Sequence, residues 1–221
     1  MDNQNNYQAD IRPDNQNNYE KTPSSLITGL AGAGAVALAI GLIIFIVKTF
    51  SQTTNVQMVF NVLNQGCILA GAIMFVAYYA ASYKKNSGDM LLVGAFALIS
   101  IGAFVGVFNL IIALANQQGD FFKAFLAYLP QLSTPLITGI LFMLVAKNFY
   151  TKNFSKITYS LALGFVVAAC PQSVLSAVCG LMLSTAQDNS ALFYLLLLSL
   201  GQALLYTAML VFGVKEYYKS K

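Results

Sequence analysis

The chain has 221 residues, of which 57% are hydrophobic and only 9% are charged, and its mean hydropathy is +0.67. Soluble domains carry about 25% charged residues, so the 12 basic and 8 acidic side chains of this chain are too few to solvate a globule of 23.8 kDa. The composition argues against a soluble enzyme, a nucleic-acid-binding protein and a disordered chain, and it predicts an all-α, polytopic integral membrane protein.

Residue types that commonly form catalytic and metal sites are scarce in this sequence. The sequence contains no histidine, which excludes Ser-His-Asp and Cys-His arrangements and imidazole metal ligands. Cys67, Cys170 and Cys179 lie inside apolar runs, and such an odd, sparse set argues against a disulfide framework. We therefore predict no catalytic residue, no metal site and no cofactor, and we do not expect an enzyme.

The N-terminal residues 1–25 are rich in Asn and Gln. The hexamer Asp-Asn-Gln-Asn-Asn-Tyr occurs at residues 2–7 and again at 14–19. A segment with so little to bury is expected to be a disordered cytoplasmic tail, in which the duplication is either a docking motif or low-complexity drift. We predict no cleaved signal peptide, because these polar residues precede the first apolar run.

Six apolar runs follow the tail, each long enough to cross about 30 Å of hydrocarbon as a helix. The predicted spans are residues 26–47, 56–81, 90–115, 126–146, 157–185 and 191–214. The short breaks between them predict antiparallel neighbours in one six-helix transmembrane domain, residues 26–214, followed by a basic cytoplasmic C-terminus, residues 215–221. Pro130 and Pro135 make the fourth span the least secure, and Pro171 predicts a kink or break in the fifth.

The basic residues predict an orientation. With six spans, one side of the membrane receives Arg12, Lys21, Lys84, Lys85, Lys147, Lys152, Lys156, Lys215, Lys219 and Lys221. The other side receives only Lys48 and Lys123. Because cytoplasmic loops are enriched in Lys and Arg, we expect a multi-pass protein of the cell membrane with both termini in the cytoplasm.

Small residues recur at spacings of four. In the first span they are Gly29, Ala33, Ala37 and Gly41, and in the third span Gly102 and Gly106. Such rows let helix backbones approach closely in lipid, where no hydrophobic force holds helices together. The row in the first span either docks on a partner membrane subunit or a second copy of the chain, or packs within its own bundle.

Uncharged amides are the polar groups of interest, because no Asp, Glu, Lys or Arg falls in the inner part of any span. They concentrate from the midplane to the outer ends of the helices: Gln57, Asn61, Asn64, Gln65, Asn109, Gln131, Gln172 and Gln202. An amide left unpaired in hydrocarbon costs several kcal/mol. These side chains therefore either line an outward-facing vestibule, with helix breaks at Pro130-Gln131 and Pro171-Gln172, or pair in interhelical hydrogen bonds.

Two functional hypotheses follow. The first is a small permease, or the membrane subunit of a transporter, whose eight amides bind a neutral or weakly charged solute. The alternative is a non-catalytic scaffold, assembly or anchoring subunit that packs through the small-residue face of its first helix. The expected partners are the lipid bilayer and, in the second case, another membrane subunit or a second copy of the chain; no nucleic acid is expected.

Overall fold

The computed structural model describes residues 25–50, 55–80, 85–116, 121–185 and 190–219, and these are helical except at Asn55, at Asn116 and in the turn 151–153. The predicted N-terminal tail, apart from Ser25, lies outside the described residues. The helices are α1 (Ser25–Phe50), α2 (Val56–Ala80), α3 (Lys85–Ala115), α4 (Phe121–Tyr150), α5 (Phe154–Gly164), α6 (Cys170–Thr185) and α7 (Ser190–Lys219), and a π-helical turn (Phe165–Ala169) joins α5 to α6.

Six segments of the described chain are long and apolar enough to cross a membrane. They are Ser25–Thr49, Val56–Tyr79, Met90–Ala115, Gln131–Tyr150, Lys156–Leu183 and Ala191–Tyr218. This confirms the prediction of an all-helical fold with six candidate transmembrane helices.

Helix contacts close the spans into a ring. Each span packs on the next in chain order, and α7 returns to pack on α1. Neighbours run antiparallel: Gly34 of α1 lies against Leu205 of α7, whereas Gly41 lies against Leu198. The start of α1 and the end of α7 therefore share one end of the bundle, which we call the termini end; the opposite end, where α2 begins, is the amide end.

Aromatic rings fill the half of the bundle nearer the termini end. The members of this aromatic cluster are Phe75 of α2, Phe96 of α3, Phe142 and Phe149 of α4, and Tyr206 and Phe212 of α7. Ring centroids lie between 5.3 Å (Phe142–Tyr206) and 6.4 Å (Phe96–Phe149) apart. Because Phe75, Phe96 and Phe212 are fully buried, the cluster closes the centre of the bundle on this side.

The prolines have different effects on the two helices that contain them. α4 is α-helical through Pro130 and Pro135, so the break expected at Pro130-Gln131 is wrong. Each proline removes a single backbone hydrogen bond, and the packing of α4 along α3 holds the helix together.

The fifth span, where Pro171 predicts a kink or break, contains a π-helical turn in an otherwise α-helical run. The π turn ends at Ala169, two residues before Pro171, and the N–H of Cys170 donates to the carbonyl of Phe165, five residues back. A proline clashes with the carbonyl four residues earlier, here that of Val167, and the wider turn accommodates the ring.

Glycines make the closest helix contacts. A Cβ on Gly102 of α3 would lie 3.0 Å from the backbone oxygen of Asn64 on α2, so the α2–α3 pair is in near-backbone contact. Gly41 is buried against Leu197 and Leu198 of α7. The rest of the row in α1 is more open: Ala37 is half-buried, and Ala33 and Gly29 are exposed.

Candidate functional site: an amide cluster between α2, α3 and α7

Helix α2 presents four amides towards its neighbours. Its first turn is fixed by Asn55, whose Oδ1 accepts a hydrogen bond of 2.8 Å from the N–H of Met58, as an N-cap residue does. Gln57, Asn61, Asn64 and Gln65 follow in the next turns, and all four are half-buried. The cap therefore fixes the start of the helix that carries half of the predicted site.

Asn61 and Asn109 join α2 to α3. Nδ2 of Asn109 donates to Oδ1 of Asn61 at 2.6 Å. Asn109 is only 8% exposed, and its own Oδ1 is buried with no hydrogen-bond partner among the described residues. The hydrogen bond thus satisfies Nδ2 of Asn109 and leaves its Oδ1 without a donor.

Asn64 lies one turn from this pair, in the space that Gly106 leaves on α3. The nearest atom to a Cβ built on Gly106 is Nδ2 of Asn64, and Pro135 of α4 lies 3.8 Å from the same position. Oδ1 of Asn64 is buried and has no partner among the described residues. Two amide oxygens on facing helices, those of Asn64 and Asn109, are therefore buried without donors.

A second amide pair crosses the centre of the bundle. Nε2 of Gln202 on α7 donates to Oε1 of Gln65 on α2 at 2.9 Å, and Gln202 is 7% exposed. One helical turn further along α7 is Tyr206, a member of the aromatic cluster. The Gln65–Gln202 pair therefore marks the boundary between the polar and the aromatic halves of the bundle.

The remaining predicted amides stand apart. Gln131 of α4 is exposed, and Gln172 of α6 and Gln57 of α2 are half-buried. In the described part of the chain, no hydrogen bond joins their side chains to the other amides. We use the name amide cluster for the residues that the structure brings together: Asn61, Asn64, Gln65, Asn109 and Gln202.

Hydroxyl groups around the cluster are mostly engaged with backbone. Thr138 donates to the carbonyl of Thr134 at 2.7 Å, and Ser199 donates to that of Leu195 at 2.7 Å. Ser100 donates across helices to the carbonyl of Gly139 at 2.7 Å. Of these three bonds, the one from Ser100 joins two helices. Since all three hydroxyls are engaged with backbone carbonyls, the amides are left as the polar groups available for recognition.

The sequence predicted the amides but not the shape of their surroundings. Gly106 was predicted as a packing residue and Pro135 as a helix disturbance, yet together they border the space that holds the Asn64 side chain. The spacing of Gly102 and Gly106 was the signal for close packing, but it did not indicate which side chain would fill the gap.

The chemistry of the cluster is hydrogen bonding without proton transfer. Its members are neutral amides, which both donate and accept. Among the residues that the structure describes, no three His, Cys, Asp or Glu side chains come together. The cluster can recognise a polar solute by shape and by hydrogen bonds.

Comparison with protein-family models, curated proteins and solved structures gave no match. The case for a function therefore rests on the residues of this chain.

Proposed function

We propose that this chain is a small membrane permease, or the membrane subunit of a transporter, whose amide cluster binds a neutral or weakly charged solute. The observation that supports the proposal best is the pair of buried, unpaired amide oxygens of Asn64 and Asn109. A buried acceptor without a donor destabilises a fold by about 1–3 kcal/mol. A solute that donates hydrogen bonds to these atoms recovers that energy when it binds.

The type of solute follows from the groups offered. Two free carbonyl oxygens attract hydroxyl or amide N–H groups and repel anions. The amides that are already paired can also bind the solute: Asn61, Gln65 and Gln202. Breaking their present hydrogen bonds costs little, because interhelical hydrogen bonds in membranes average about 0.6 kcal/mol. A hydroxylated or amide-bearing solute fits best.

The two halves of the bundle suit a permease that opens on one side at a time. The aromatic cluster closes the termini end, while the amides occupy the opposite half. The π turn before Pro171 interrupts the fifth span, and interrupted helices recur at transporter binding sites. In this proposal the solute enters from the amide end, and rearrangement of the fifth span accompanies release on the other side.

Orientation is part of the same proposal. Lys147, Lys156 and Lys215 belong to helix segments at the termini end. Under the positive-inside rule that end faces the cytoplasm of a cell whose plasma membrane holds the protein. The amide cluster then opens to the outside.

Thermal unfolding of the purified full-length chain tests the binding step. The probes are glycerol, glucose, glutamine and acetamide, each added in excess. Saturation at about 100 times Kd stabilises a protein by about 2.7 kcal/mol, which raises the unfolding midpoint by several degrees. We expect at least one probe to do so, and Asn64→Leu and Asn109→Leu to abolish the shift. Asn116→Leu, an exposed amide at the end of α3, should keep it.

The two variants also separate binding from a purely structural role. Removing an unpaired oxygen should leave the unliganded Asn64→Leu protein at least as stable as the parent. If Asn64→Leu instead unfolds several degrees earlier and no probe shifts the parent chain, the amides serve packing and the proposal is wrong.

A second candidate function, assembly with another membrane subunit, is favoured by the exposed part of α1. Gly29 and Gly32 have no atom within 4 Å of a built Cβ, and Ala33 beside them is exposed. This surface permits close approach of another helix. Replacing Gly29 and Ala33 by Leu should release a co-purifying subunit or a second copy, whereas Val178→Leu on the exposed face of α6 should not; retention in both would contradict this candidate.

A further inference from the structure

A cleft of about 440 Å³ lies at the termini end, between the last turns of α4 and the first turns of α5. It lies at the opposite end of the bundle from the amide cluster, on two helices that carry none of the cluster's residues. The lining residues are Leu144, Lys147, Asn148, Lys156, Tyr159 and Ser160. Two ammonium groups, one amide and two hydroxyl-bearing side chains therefore share one opening.

The charge of the cleft is uncompensated by its own lining. It contains two lysines and no carboxylate. Lys156 lies in the first turn of α5, a helix with no acidic residue in that turn, although a helix N-terminus favours anions. An anion in the cleft would be attracted by both lysines and by the helix end.

The backbone around the cleft is held in place on both sides. The N–H of Asn153 donates to the carbonyl of Asn148 at 2.8 Å, and the N–H of Lys152 to that of Phe149 at 3.1 Å. These two bonds form a Schellman motif that ends α4. Thr158 of α5 donates to the carbonyl of Gly213 on α7 at 2.8 Å. The lysines therefore project from fixed helix ends.

Apolar surface adjoins the cleft. Leu144 is 41% exposed and Tyr159 is 69% exposed, and both line it. Met143 and Leu163, on the same two helices, are exposed as well. A ligand that carries an acyl chain beside its phosphate matches this combination, whereas a free phosphate makes no use of the apolar flank.

We propose that this cleft binds the phosphate of an anionic phospholipid headgroup, with Lys147 and Lys156 contacting the phosphate and the acyl chains lying along α4 and α5. Basic pockets between transmembrane helices bind such headgroups in other proteins. The site is independent of the proposed permease function.

Native mass spectrometry of the purified full-length chain, titrated with phosphatidylglycerol or with phosphatidylcholine, tests the proposal. We expect phosphatidylglycerol to bind more tightly than phosphatidylcholine. The double variant Lys147→Gln/Lys156→Gln should bind phosphatidylglycerol about 25-fold more weakly, because each lysine near an anionic lipid surface contributes about a fivefold factor in affinity. Lys152→Gln, an exposed lysine of the same turn outside the lining, is the matched control and should bind as the parent does.

Two further measurements distinguish lipid binding from a loss of folding and from binding of a soluble anion. The charge-preserving variant Lys147→Arg/Lys156→Arg should retain most of the affinity; if it loses as much as the glutamine variant, the lysines act through folding and the proposal is overturned. Millimolar inorganic phosphate should compete weakly. Full competition by inorganic phosphate would identify a site for a soluble anion instead, and equal binding of phosphatidylglycerol by the parent and the glutamine variant would exclude the site.

Discussion

Gly34 of α1 and Gly201 of α7 are in mutual backbone contact. A Cβ on Gly34 would lie 2.8 Å from the carbonyl oxygen of Gly201, and a Cβ on Gly201 would lie 2.9 Å from the carbonyl oxygen of Gly34. Since both obstructing atoms belong to the backbone, no side-chain rotation relieves the clash. This contact closes the ring of helices between the first and last spans.

The first prediction follows from that contact. Gly34→Ala should destabilise the protein by about 1–3 kcal/mol, because the two helices must separate to admit the methyl group. Gly29→Ala on the same helix, where nothing lies within 4 Å, should be neutral or stabilise by up to about 1 kcal/mol through helix propensity. Denaturant unfolding in detergent measures both, and equal effects would contradict the close contact.

The second prediction concerns the amide pair Asn61–Asn109. A double-mutant cycle with Asn61→Leu and Asn109→Leu should give a coupling energy of about 0.6–1.7 kcal/mol, the range for interhelical hydrogen bonds in membranes. The double variant should lose less stability than the two single variants together, because each single variant strands the other amide. Additivity to within about 0.3 kcal/mol would show that the two residues do not interact.

The third prediction concerns the aromatic cluster. Phe212 is fully buried, and its ring lies 5.7 Å from that of Phe75 and 6.0 Å from that of Phe149. Phe212→Ala should destabilise the bundle by about 3 kcal/mol or more, because the cavity cannot be refilled without moving three helices. Phe108→Ala, at a side chain that is 58% exposed, should change stability by less than about 0.5 kcal/mol. Comparable losses in the two variants would place the core elsewhere.

The fourth prediction concerns Lys152, which has φ of +57° and ends α4 in a left-handed conformation. This conformation costs an L-residue about 1–2 kcal/mol and favours glycine. Lys152→Gly should therefore raise the free energy of unfolding by about 1 kcal/mol, whereas Lys152→Ala, which keeps the strain, should not. Identical stability of the two variants would mean that the turn is not left-handed in solution.

The sequence predicted the number of candidate spans and their approximate limits, because an apolar run of about 20 residues has one stable form in lipid. It predicted less about the interior. Periodicity placed Asn61 and Asn64 on one face of α2, but only the approach of α3 shows that Asn61 finds Asn109 while the oxygen of Asn64 stays unpaired.

Helix contacts and proline effects were harder to predict for the same reason. The spacing of small residues indicated Gly29 and Gly41 equally, whereas the contact with α7 uses Gly34 and Gly41 and leaves Gly29 open. Pro130 and Pro171 carry the same local penalty, and the difference between a continuous α4 and a π turn in the fifth span depends on packing that no local pattern encodes.

Solvent access to Asn64 is the most direct test of the central proposal, that the amide cluster receives a solute from the amide end. The chain would carry Asn64→Cys in a background with Cys67, Cys170 and Cys179 replaced by Ala, reconstituted in vesicles and exposed to a membrane-impermeant maleimide. Asn55→Cys, exposed at the start of α2, reports full labelling at that end, and Phe75→Cys reports the sealed aromatic half.

We expect Asn64→Cys to be labelled from the side opposite the termini, more slowly than Asn55→Cys, and Phe75→Cys to be labelled from neither side. If Asn64→Cys stays unlabelled from both sides while Asn55→Cys reacts fully, the amides form a permanently dry helix contact, and the permease proposal is wrong.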